Sequence, residues 1–130
     1  MKTTFIWACL FGLTAIAIGA LGAHGLREIL SASQLESVAT GVKYQMYHSF
    51  FLLFVGILQI IKPEIKLTLV RNLAIVGVFF FSFSIYLLTA QTQMGFNIPV
   101  LWAFTPLGGI ILMSAWLVLL VKITLLTKDS

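Results

Sequence analysis

No aspartate or glutamate falls inside any of the long apolar runs of this chain, and its lysines and arginines stand near the ends of those runs. That placement constrains the fold more than any motif does. Charge is costly in hydrocarbon, whereas an apolar helix of about 20 residues crosses a bilayer. With 60% hydrophobic and only 9% charged residues, the chain carries more apolar surface than a soluble domain of 130 residues hides in one core. The expected fold class is all-α: a polytopic membrane protein whose single domain, residues 1–130, is a four-helix transmembrane bundle. Spans are expected at about 4–22, 44–61, 69–90 and 106–126, with an amphipathic foot before the second.

The first span spaces Ala8, Gly12, Ala15, Gly19 and Gly22 by alternate steps of four and three, which places them on one helix face. Small residues in such a stripe let two backbones approach closely in lipid, so these positions are expected to serve helix packing. Gly22 and Gly25, flanking Ala23 and His24, are expected to end the helix. The start of the chain resembles a secretory signal, but its apolar run exceeds a signal core of about 7 to 15 residues, so a retained span is expected. The one cysteine, Cys9, has no intramolecular partner and reads as an apolar filler.

A serine, Ser31 or Ser33, is expected to cap the second helix, which begins amphipathic and turns apolar after Tyr44. Tyr44 and Tyr47 mark that junction as interfacial aromatics, and Pro63 stops the helix. The third span places Ser82, Tyr86 and Thr89 on one face. Gln91 to Phe104 carries no charge and reads as an interfacial loop or short half-helix, after which Thr105-Pro106 reads as an N-cap and first helical residue of the fourth span.

Lysine and arginine counts set the expected orientation. Lys2, Lys62, Lys66, Arg71, Lys122 and Lys128 share one side and only Arg27 and Lys43 the other, so both termini are expected in the cytoplasm of a bacterium, with the protein in its inner membrane. The basic residues form no stripe with interleaved aromatics, and nucleic acid is not an expected partner.

Four ordered motifs carry a family resemblance: Gly19-Ala20-Leu21-Gly22-Ala23-His24-Gly25-Leu26, Thr40-Gly41-Val42-Lys43-Tyr44-Gln45-Met46-Tyr47-His48, Phe81-Ser82-Phe83-Ser84-Ile85-Tyr86 and Thr105-Pro106-Leu107-Gly108-Gly109. Together they resemble the bacterial domain-of-unknown-function 423 family of YgdD-like and YwdK-like inner-membrane proteins, and the animal transmembrane protein 256 family is similar. The chain departs from that pattern at Phe83, where the family commonly has glycine. The resemblance implies a four-span membrane protein and brings no catalytic residue.

The candidate polar cluster near the outer face comprises His24, Arg27, Tyr44, His48, Gln59, Tyr86 and Thr105. Tyr44, Tyr47, His48 and Phe51 share a helix face to which Gln59 returns about three turns later, and an inward direction is expected because an unpaired polar group in hydrocarbon is costly. Three uses are open. The histidines could hold a metal or relay a proton, they could be structural, His24 at the glycine turn and His48 bonded across helices to Tyr86 or Thr105, or the cluster could contact a partner protein or a lipid headgroup. Two histidines without a spaced third ligand are a weak metal signal, so neither metal nor cofactor is expected.

Ordinary enzyme chemistry is not expected either. Cys9 lies about 20 Å along the helix from His24, too far for a nucleophile and base, and no phosphate-binding loop is present. The favoured function is a structural or accessory membrane protein that forms a homo-oligomer or joins a larger membrane complex in contact with lipid. The alternative is a binder or carrier of a small or lipidic molecule through the His/Tyr cluster.

Overall fold

The computed structural model describes residues 1–128, with side chains through Leu125. Four long helices follow one another: α1, Lys2–Ala23; α2, Ala32–Ile61; α3, Thr68–Met94; and α4, Leu101–Lys128. A short 3-10 turn, Gly25–Glu28, joins the first two. Each helix is long and apolar enough to cross a bilayer, and together they form an all-α transmembrane bundle.

Local chemistry sets the boundaries. Ser31 caps α2 as expected: its Oγ accepts from the Gln34 backbone N–H at 3.2 Å, while Gln34 Oε1 accepts from the Ser31 N–H at 2.9 Å. The amphipathic foot is therefore the first turns of one 30-residue helix rather than a separate element. At the end of α1, His24 itself occupies the cap at φ −121°, so the expected glycine terminus is replaced by a histidine followed by a 3-10 turn. A left-handed glycine terminates α3 instead, at Gly95 with φ 75°. The fourth helix begins at Leu101, ahead of Thr105 and Pro106, so Thr105 is not an N-cap. Pro106 lies within the early turns, where its missing N–H leaves one ladder bond unmade.

The helices pair as two antiparallel hairpins, α1 along α2 and α3 along α4, joined mainly where α2 meets α3. The small residues of α1 form the first seam. Ala8 and Ala15 are wholly buried, and a methyl group on Gly12 would come within 3.0 Å of Ser49 Oγ, on Gly19 within 3.3 Å of Val42 Cγ1 and on Gly22 within 3.8 Å of Val38 Cγ1. The second seam is tighter. A methyl on Gly77 would stand 2.5 Å from Leu112 Cδ2, and one on Gly108 would fall on the backbone of Phe80 and Phe81.

That closest approach coincides with a break in regularity. Residues Phe79–Phe83 form a π turn inside α3, which locally widens the helix opposite Gly108. Between the seams lie Phe11, Leu52, Val55, Leu67, Val70, Val78 and Leu112, while Leu13, Ile16, Met113 and Leu117 face outward to lipid.

Candidate functional site

The interior polar residues are organised around Gln45, on α2. Its side chain is fully buried and all of its hydrogen-bonding groups in use: Nε2 donates to the Phe11 carbonyl at 2.9 Å and to Thr14 Oγ1 at 2.6 Å, and Oε1 accepts from the Tyr86 hydroxyl at 2.9 Å. Thr14 passes its own proton to the Leu10 carbonyl at 2.7 Å. Three helices, α1, α2 and α3, therefore meet through one amide. Gly41, one turn earlier on α2, makes room for this arrangement, since a methyl there would stand 2.8 Å from Tyr86 Cε1.

Two serines extend the pattern along α2. Ser49 donates to the Ala8 carbonyl at 2.6 Å, and Ser82, at the π turn of α3, donates to the Gly41 carbonyl at 2.7 Å. On the other side of the π turn, Ser84 gives its proton to the Phe81 carbonyl at 2.9 Å and takes one from Thr105 at 2.6 Å. Each helix-to-helix contact thus carries at least one side-chain hydrogen bond near its tightest point. In a bilayer such bonds hold helices that have no hydrophobic drive to associate.

The seven residues of the expected cluster do not gather in one place. Tyr86 joins the Gln45 hub and Thr105 joins Ser84, but neither reaches His48. His48 is buried, and its Nδ1 lies 2.8 Å from the Tyr44 carbonyl one turn back on its own helix. A carbonyl only accepts, so Nδ1 carries the proton and Nε2 is left as a buried acceptor with no donor. The ring packs beside Phe51, which in turn lies against Trp116 of α4. Tyr44 and Tyr47 are both largely exposed and pack edge to face, with Tyr44 also resting on Phe81. Gln59 is partly buried and its Oε1 has no partner.

His24 and Arg27 are exposed at the turn beyond α1. Gly12 lies opposite Ser49, so His48 is level with the middle of α1, and His24 stands twelve residues further along, about 18 Å at the helical rise. The two histidines accordingly belong to different levels of the bundle. Among the described residues no three His, Cys, Asp or Glu side chains are grouped so as to hold a metal ion.

Of the small residues of α1, Gly12, Gly19 and Gly22 face Ser49, Val42 and Val38 of α2, and Ala15 is buried. Gln45 was the hidden member. It carries the same four-residue spacing as Gly41 and Ser49, and that small-and-polar stripe is the signal for the face α2 turns inward. The face through Tyr44 and Tyr47 is rotated one residue away from it.

At the third motif, Phe83 stands where glycine would permit closer packing. Here it fills space instead, with its ring 4.9 Å from that of Phe79 and 5.6 Å from that of Tyr86.

Four apolar helices, closed by interhelical hydrogen bonds and close glycine contacts, define a small polytopic membrane protein of the helical-bundle class. The chain belongs to the family described as Protein of unknown function (DUF423), which matches residues 18–109. It is 39% identical over 121 residues to a UPF0382 membrane protein of Staphylococcus saprophyticus, covering 93% of this chain and 96% of that one. It is 36% identical to the UPF0382 membrane protein YwdK of Bacillus subtilis, covering 93% and 95% of the two chains. To the UPF0382 inner membrane protein YgdD of Escherichia coli it is 30% identical, covering 89% and 85%. No solved structure matches.

Proposed function

We propose that this protein is a structural or accessory component of a bacterial inner membrane, acting by assembly with copies of itself or with a larger membrane complex rather than by chemistry. The observation that carries this reading is the use made of four buried polar side chains at the helix seams. Gln45, Ser49, Ser82 and Ser84 all direct their hydrogen bonds to neighbouring helices or to their own backbone, as a fixed scaffold requires. The described carboxylates, Glu28, Glu36 and Glu64, are exposed near helix ends, away from the bundle interior. Less supports a carrier working through the His/Tyr cluster, because the Tyr86 hydroxyl already bonds Gln45 and His24 stands at another level.

The proposed orientation keeps both termini cytoplasmic, with Arg27 and Lys43 on the outer side, by the lysine and arginine bias. Any assembly face lies away from Gly12 and Gly19, whose contacts are made inside the chain. Gly12→Leu is therefore expected to destabilise the monomer fold rather than change its stoichiometry, whereas Leu13→Ala and Met113→Ala on outward faces leave the fold intact. Native mass spectrometry after gentle extraction into lipid nanodiscs tests the assembly reading. More than one copy per particle, or a co-purifying membrane protein in fixed ratio, is expected; a solitary monomer would defeat it.

A further inference from the structure

The two cations assigned to the outer side meet at one place. A groove of about 530 Å³ opens between the end of α1 and the foot of α2, and both Arg27 and Lys43 line it, together with Glu36. Among the described residues neither cation has an ion-pair or hydrogen-bond partner. Glu36 does not satisfy Lys43: it lies seven residues earlier on the same face of α2, about 10 Å away along the axis.

Lys43 adjoins the apolar part of α2, so its ammonium must reach up to the interface, where it is open to water and to anionic headgroups. Two cations and one carboxylate leave the groove with one net positive charge. The walls between and beside them are apolar, Gly19, Gly22 and Ala23 on α1 with Leu35, Val38, Ala39 and Val42 on α2, so hydrocarbon surface flanks both cations. Two unpaired cations beside an apolar wall suit an anionic phospholipid, with its phosphate on the cations and its hydrocarbon against that wall.

We propose that this groove binds one anionic phospholipid, its headgroup phosphodiester held between Arg27 and Lys43 and its hydrocarbon against the apolar wall of the groove. Charge selects the class. The single net positive charge of the groove matches the single negative charge of a glycerol-type headgroup, whereas an ethanolamine headgroup is neutral overall and would place its ammonium beside Glu36. The site is separate from the Gln45 hub and does not depend on the assembly reading.

Native mass spectrometry of the full-length protein in mild detergent, with phosphatidylglycerol and phosphatidylethanolamine supplied at equal concentration, tests this. One phosphatidylglycerol is expected to be retained in preference. Arg27→Gln with Lys43→Gln should weaken that retention about thirtyfold, while Lys62→Gln with Lys66→Gln, at the other end of the bundle, should not. Glu36→Gln supplies an independent arm that removes only a repulsive charge, and it should strengthen phosphatidylglycerol binding. Equal retention by wild type and the Arg27/Lys43 variant would overturn the proposal. So would a preference for phosphatidylethanolamine that Glu36→Gln weakens, or displacement of the lipid by inorganic phosphate, which would indicate a site for the free anion.

Discussion

Gln45 and His48 sit three residues apart on α2, both buried, yet substitution should act on them in opposite senses. Gln45→Leu strands the Tyr86 hydroxyl and removes three bonds between helices; at about 0.6 kcal/mol each in a bilayer, a loss near 2 kcal/mol is expected. His48→Leu gives up one bond to a carbonyl of its own helix and also removes a buried acceptor that has no donor. Stability unchanged, or raised by up to about 1 kcal/mol, is expected there. Reversible unfolding from mixed micelles measures both, and a larger loss for His48→Leu than for Gln45→Leu would reverse this ranking. The sequence draws attention to histidine because histidine carries chemistry elsewhere. What decides the interior is which side chain faces a neighbouring helix, and one residue of helical rotation separates the Tyr44 face from the Gln45 face. No pattern in α2 alone states that the partner amide and hydroxyl meet, because Thr14, Gln45 and Tyr86 are brought together only by the pairing of three helices.

At the scale of elements, the small residues were readable as seams but their ranking was not. The α1 stripe is visible as spacing, and its residues pack on α2. The closest approach lies elsewhere, between Gly108 and the π turn at Phe80 and Phe81, and a π turn leaves no periodic signature in the sequence. Thr105-Pro106 misled for a related reason: a threonine before proline imitates a helix start, yet here the hydroxyl bonds Ser84 on α3 from within α4. Gly108→Ala is expected to cost about 1 to 3 kcal/mol because its new methyl meets backbone, which cannot rotate away. Gly25→Ala should stay within about 0.5 kcal/mol of wild type, since nothing lies within 4 Å of a methyl there and its backbone is not left-handed. The same unfolding assay compares the pair, and equal costs would refute the close α3–α4 contact.

For the whole molecule, composition and charge placement were enough to give the class, because nothing but a bilayer accommodates four such helices. Even the long second helix, foot and span together, followed from a serine cap and a late proline. The arrangement of the helices as two hairpins did not follow, since lipid-facing and seam-facing leucines look alike in sequence. The central claim is that an even number of spans carries the chain back to its starting side, with the α1–α2 turn on one face of the membrane and the α2–α3 loop on the other. Single cysteines at Ser31 and Lys66, each in a Cys9→Ala background, test it with a membrane-impermeant thiol reagent on intact cells and on inverted vesicles. Ser31→Cys should label only in intact cells and Lys66→Cys only in inverted vesicles; labelling of both positions from the same side would contradict the four-span bundle.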